Sequence, residues 1–149
     1  MYIIAEIGIN HNGSMRHAEN LIEQAYESKC NAVKFQKRDI ESVYTQEELE
    51  RYRESPWGTT NREQKEGLEF SIEEYQQLYS YTKKLGMDFI VSCWDRKSVK
   101  LVEDNPNVDY HKVASPLVTD EEFLKCLVDT GKPIILSTGM SNMDEIEKT

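Results

Sequence analysis

Apolar residues recur along the chain with two periods. Runs with period two lie near residues 2–10, 31–37, 87–92, 108–115 and 134–137, and helical-period stretches separate them. In the first run Tyr2 to Ala5 is apolar. Glu6, Gly8 and Asn10 then share one face, and Ile7 and Ile9 the other, before the turn Asn10-His11-Asn12-Gly13. The pattern predicts a buried strand whose C-terminal end opens into a site. A buried carboxylate is costly unless it is paired, so Glu6 is expected to be functional.

Ser14 is expected to cap a helix to about Lys29, with Ala18, Leu21, Ile22, Ala25 and Tyr26 on its core face. The second strand, Asn31 to Lys37, sets Val33 and Phe35 against Lys34 and Gln36. A charged excursion follows from Asp39 to Phe70. Thr45 with Glu48 marks a short helix to about Arg53, and Ser55-Pro56-Trp57-Gly58-Thr59-Thr60 reads as a loop, either a substrate wall or a surface insertion. Ser71 with Glu74 opens a helix carrying Tyr75, Leu78, Tyr79, Thr82 and Leu85, which Gly86 stops. The third strand, Met87 to Ser92, ends in Ser92-Cys93-Trp94-Asp95, and a helix around Ser98 to Asp104 follows. The fourth, Val108 to Ser115, buries Lys112 in its middle. Thr119 with Glu122 caps a helix whose core face is Phe123, Leu124, Leu127 and Val128. The fifth strand, Ile134 to Ser137, closes in Ser137-Thr138-Gly139-Met140, and Ser141 with Asp144 starts a last helix.

Strand–helix alternation of this kind means a parallel sheet with helices packed outside. No strand carries a hairpin signal, and Asn12-Gly13 is no glycine-rich phosphate fingerprint. Polar residues gather at the strand C-termini, where barrel enzymes keep their chemistry. The predicted class is therefore α/β, a (β/α)8 TIM-barrel type. Residues 1–149 cover about the first five βα units of the ~250 residues that such a barrel needs.

The net charge of −9 argues against nucleic acid or an anionic membrane as partner, so cations that bind an anionic ligand must be local. No apolar run is long enough for a membrane span, and no secretory signal pattern opens the chain. Cys30, Cys93 and Cys126 are odd in number and widely spaced, which suits a reducing cytoplasm.

The strand-end groups are Glu6 and Asn10, Lys34 and Gln36, Ser92 and Asp95, Lys112 and Ser115, and Ser137 and Thr138. Two lysines and three hydroxyls from different strands suit a phosphate or carboxylate. Backbone N–H groups at Gly139 and Met140, entering a helix, would add to the site. Glu6 is the natural acid/base candidate.

The motifs Ala5-Glu6-Ile7-Gly8-Ile9-Asn10-His11-Asn12-Gly13, Val33-Lys34-Phe35-Gln36, Lys112-Val113-Ala114-Ser115 and Ser137-Thr138-Gly139-Met140 resemble the N-terminal barrel of the sialic acid synthase (N-acetylneuraminate synthase-like) family. The resemblance implies condensation of phosphoenolpyruvate with an N-acetylated sugar such as N-acetylmannosamine, releasing phosphate, in carbohydrate biosynthesis. Matched by motif, Lys34, Ser92, Lys112, Ser115 and Ser137 would hold phosphoenolpyruvate. Glu6 and Lys34 would be catalytic, Gln36 and Asn10 would face the sugar, and the long excursion would help close over it. The family also uses Mn2+ or Mg2+, which holds the attacking water.

Three departures stand out. Ser115 is followed by Pro116-Leu117, where many relatives place an acidic group near the reacting carbons. Ser92-Cys93-Trp94-Asp95 stands where Thr-Pro-Phe-Asp is common, which changes the wall. The later barrel strands, with two metal-binding histidines, and the antifreeze-like C-terminal domain lie outside residues 1–149. The three histidines do not replace those ligands: His11 lies at the first strand's mouth within reach of substrate, His17 is on an exposed early helix turn and His111 faces away from Lys112, and the expected reading of each is a hydrogen-bonded or surface imidazole. The isolated chain is accordingly expected to turn over little or nothing. Homo-oligomerisation, or pairing with a complementary barrel fragment, is the expected assembly. The competing functions are a binding or assembly module and another phosphoenolpyruvate-dependent synthase of keto-deoxy sugar acids.

Overall fold

Period-two runs become strands and helical-period runs become helices in the computed structural model, which describes residues 1–104 and 108–149. In chain order the elements are β1 (Ile4–Gly8), α1 (Met15–Glu27), β2 (Ala32–Lys37), α2 (Ile40–Val43), α3 (Gln46–Glu50), β3 (Tyr52–Ser55), β4 (Gly58–Thr60), α4 (Asn61–Leu68), α5 (Ile72–Lys84), β5 (Asp88–Cys93), α6 (Arg96–Asp104), β6 (Tyr110–Val113), a short 3-10 turn (Ser115–Leu117), α7 (Glu121–Val128), β7 (Ile134–Leu136) and α8 (Met143–Lys148). The main sheet runs β1-β2-β5-β6-β7, and every neighbouring pair is parallel. Successive barrel-type strands are adjacent, the order that a TIM-barrel-type wall requires.

Neighbours paired in a parallel ladder share a face. Glu6 pairs with Lys34, and Gln36 with Ser92. The opposite face carries Ile7, Val33, Phe35, Phe89, Val91, Cys93 and Val113, which form one buried core with Ala18 and Ile22 of α1, Tyr75 and Leu78 of α5, Val102 of α6 and Phe123 and Leu127 of α7. Phe35 and Phe89 stack across β2 and β5 with centroids 5.4 Å apart. One face of the sheet is thus filled by helices, and the other presents polar groups.

The structure corrects several expectations. Glu6 is not buried: its side chain is 61% exposed, because it sits on the face that the helices do not cover. Tyr26 and Val128 are exposed at the edges of their helices' apolar stripes. Asp120 rather than Thr119 caps α7, accepting from Phe123 N, and Asn142 rather than Ser141 caps α8 with Glu145. In α7 the shifted start leaves Phe123 and Leu127 buried.

The excursion is fully built. Strands β3 and β4 pair antiparallel as a hairpin, contrary to the reading of that stretch as loop. The strands have four and three residues, are mostly exposed, and so lack an apolar alternation. Capping boxes at Thr45–Glu48 and Thr60–Glu63 start α3 and α4. Glu69 anchors the whole segment to the end of β2. Its carboxylate accepts from Lys37 Nζ at 3.1 Å, Arg38 N at 3.2 Å and Arg38 Nε at 2.9 Å. Among the described residues no helix is long and apolar enough to cross a membrane, and the three cysteines are free thiols.

Candidate active site

The helix-free face carries the candidate chemistry. Lys34 Nζ lies 2.6 Å from Glu6 Oε2, and the lysine is nearly buried while the carboxylate is open. Register brings them together, since Glu6 and Lys34 are direct partners across β1 and β2. One strand over, Ser92 is buried and donates from Oγ to the Lys112 carbonyl at 3.1 Å. Lys112 Nζ donates to Val113 O at 2.6 Å and to Ser137 Oγ at 2.5 Å, linking β6 to the end of β7. Ser115, just past β6, packs against the β7 turn: a methyl on Gly139 would sit 3.2 Å from its Oγ. Gln36 reaches Gly8, whose φ of 55° turns the chain out of β1. Asn10 follows in the turn and is exposed.

Burial, and then the positive charge of Lys34, push the Lys112 ammonium below the ordinary lysine range, and Glu6 partly offsets them. Two cations are therefore held near each other at the strand ends, with one exposed carboxylate as counter-charge. An anion would relieve their repulsion, and hydroxyls at Ser92, Ser115 and Ser137 would supply neutral donors.

Other expected groups lie elsewhere. His11 is buried rather than open to substrate. Its ring stacks on Phe70 at 4.1 Å, and Nδ1 accepts from Gly13 N at 3.1 Å. Burial lowers its pKa to about 4. His111 lies on the core face, with Nε2 3.2 Å from Glu103 Oε1. Asp95 does structural work, accepting from Ser98 N, Ser98 Oγ and Asp39 N. Trp94 lines a cavity on the rim with Ser42, Lys97 and Phe123. The Met140 backbone, at a φ of 71°, precedes an α8 of only six residues. Among the described residues no group of three or more His, Cys, Asp or Glu converges as a metal site. The described residues therefore do not by themselves complete a divalent-metal site.

The sequence reading missed the hub at Glu69. The Glu69 signal was present in Lys37-Arg38, two adjacent cations at a strand end, but their counter-ion lies more than thirty residues further on.

A parallel β/α wall with an anion-suited set at its strand C-termini defines a TIM-barrel-type protein with its candidate site at the usual end. The chain belongs to the NeuB family, whose model matches residues 21–149. It is 37% identical over 150 residues to N-acetylneuraminate-9-phosphate synthase of Drosophila melanogaster, covering 99% of this chain and 40% of that protein. It is 34% identical over 153 residues to N,N'-diacetyllegionaminic acid synthase of Campylobacter jejuni, covering 98% of this chain and 44% of the relative. The crystal structure of N-acetylneuraminic acid (sialic acid) synthetase from Leptospira borgpetersenii in complex with citrate superposes with a TM-score of 0.84 at 26% identity, over 99% of this chain and 48% of that one. The chain thus spans less than half the length of these relatives.

Proposed function

We propose that this chain forms the phosphoenolpyruvate-binding part, and one acceptor wall, of a nonulosonic acid synthase. The single observation that carries the reading is the convergence of Lys34, Lys112, Ser92 and Ser137 on one sheet face, with Glu6 paired to Lys34 at 2.6 Å. Lys34 and Lys112, with the hydroxyls of Ser92, Ser115 and Ser137, bind the phosphate and carboxylate of phosphoenolpyruvate. Gln36 and Asn10 face an open-chain N-acetylated sugar such as N-acetylmannosamine.

In the reaction, the enol carbon of phosphoenolpyruvate forms a bond to the sugar aldehyde carbon, and the aldehyde oxygen takes up a proton. Water adds to the cationic carbon that results and gives up a proton. The bond from that carbon to the phosphate oxygen then breaks, leaving a keto acid and inorganic phosphate. Glu6, exposed on this face, moves the proton in this reading. Lys34 steadies the carboxylate while it contacts the anion. Mn2+ or Mg2+, used elsewhere in the family, would have to be held by residues outside those described here.

The reading is tested by phosphate release from phosphoenolpyruvate with N-acetylmannosamine, using the whole protein that carries this chain. Sugar-dependent release supports it, and release with a keto-deoxy precursor sugar alone overturns the choice of acceptor. A second reading rests on β1 and β7, which are the outer strands of the sheet among the described residues. In that reading the chain is an assembly module that pairs with a second copy or a complementary fragment, and a sharp monomer in sedimentation at high concentration contradicts it.

A further inference from the structure

Three segments far apart in sequence meet without room for a methyl group. A Cβ on Gly13, in the loop after β1, would lie 2.1 Å from the Gly67 carbonyl oxygen and 3.2 Å from Trp57 Cζ2. A Cβ on Gly67, in α4, would lie 2.3 Å from Trp57 Cγ and 2.4 Å from Cδ1 and Cδ2. The indole therefore lies flat on Gly67 and reaches Gly13 with its benzo edge. Gly13 also has a φ of 67°, so both its backbone and its contact demand glycine. A glycine inside a helix costs about 1 kcal/mol relative to alanine, and the indole gives Gly67 its packing reason.

The backbone that carries the indole is itself held. Ser55 Oγ accepts from Trp57 N at 3.3 Å and donates to Gly58 O at 3.2 Å. The Glu63 carboxylate accepts from Thr59 N at 2.8 Å and Thr60 N at 3.0 Å, tying the hairpin to α4. Beyond α4, Phe70 stacks on His11 at 4.1 Å. The loop after β1 is thus gripped at His11 by Phe70 and at Gly13 by Trp57 and Gly67. Between the strand and this grip lies Asn10, whose N–H donates to Ile7 O at 2.9 Å.

We propose that Trp57 is a positioning residue for the acceptor sugar: seated on Gly67 and against Gly13, it clasps the loop after β1 and so fixes Asn10 and the acceptor-side wall. The substrate in this statement rests on the synthase reading; the clasp does not. Gln36 and Asn10 stand on the β1–β2 side, whereas the hydroxyls assigned to phosphoenolpyruvate stand on β5 and past β6 and β7. Lys34, the phosphoenolpyruvate ligand on this side, is fixed by the β1–β2 and β2–β5 ladders rather than by the loop after β1, so loosening the clasp affects the acceptor more than phosphoenolpyruvate.

The test uses Trp57→Ala, Gly67→Ala and Trp57→Phe in the whole protein, with two readouts. Hydrogen exchange is followed at the amides of Asn10, Asn12, Gly13 and Ser14, and KM is measured separately for each substrate. Trp57→Ala and Gly67→Ala are expected to speed loop exchange about tenfold and raise the N-acetylmannosamine KM about tenfold, with the phosphoenolpyruvate KM within about twofold. Amides of β5 and β6 stay protected, which shows that the variants fold, and Trp57→Phe recovers most of both effects. Unchanged loop exchange in both alanine variants overturns the clasp. Faster exchange with an unchanged acceptor KM, or with both KM values raised equally, overturns the positioning role. If the unaltered protein makes no nonulosonic acid, the synthase reading fails, while the exchange data still decide the clasp.

Discussion

Glu6 and Lys34 face each other across the β1–β2 ladder with their charged atoms 2.6 Å apart, one side chain open and the other nearly buried. The asymmetry separates their roles. Lys34 is held within the sheet and the Glu6 carboxylate is open, which in the proposed reading makes Lys34 the anion ligand and Glu6 the acid/base group. Glu6→Gln in the whole protein is expected to lower kcat at least about a hundredfold, the usual worth of a positioned acid/base group. Phosphoenolpyruvate affinity holds or tightens, because a negative charge beside Lys34 is removed. A calorimetric titration beside a phosphate-release assay checks both.

Lys112 is expected to dominate the pH dependence of anion binding. Burial and Lys34 lower its pKa in the free protein, and a bound anion favours the charged form and raises it again. Affinity for phosphoenolpyruvate is then full at pH values below the free-state pKa and falls as the pH rises through it. Lys112→Met removes this alkaline limb and weakens binding about tenfold or more, measured by titration across the alkaline range.

Sheet order, faces and most of the strand-end set were legible because period-two alternation survives wherever one face is packed. Val33 and Phe35 against Lys34 and Gln36 showed this directly, and the order of β1, β2, β5, β6 and β7 followed. Glu6 was misread as buried because alternation gives the face of a residue but not what covers that face. The β3–β4 hairpin was illegible since Tyr52 to Ser55 is mostly exposed and carries no apolar period. His11 was expected to be a hydrogen-bonded or surface imidazole within reach of substrate, and it is hydrogen-bonded but buried. Its actual partner, Phe70, stands 59 residues away, a pairing that only the fold reveals.

His11 is expected to make stability acid-sensitive. Its folded pKa, about 4, lies below the ordinary histidine value near 6.5. Its contribution is therefore complete above about pH 6.5 and is lost as the pH falls toward 4, by on the order of 2 kcal/mol. Protonating Nδ1 would also break the bond from Gly13 N. Urea unfolding at pH 7 and pH 4.5 measures the loss, and His11→Gln flattens that part of the profile.

Glu69 holds Lys37 and Arg38 with both carboxylate oxygens in a largely buried setting. Glu69→Ala leaves those cations uncompensated and is expected to cost about 3–5 kcal/mol. Proteolysis should then open the insert between Asp39 and Phe70 before the sheet. Chemical denaturation and limited digestion with mapped cleavage sites test this.

In the proposed function the Lys34–Lys112 face takes phosphoenolpyruvate for condensation with an N-acetylated sugar. The most direct measurement is inorganic phosphate released by the whole protein from phosphoenolpyruvate, with and without N-acetylmannosamine, in the unaltered and Glu6→Gln forms. The account predicts release that requires the sugar and disappears in the variant. Release independent of the sugar, or undiminished turnover in Glu6→Gln, would contradict it.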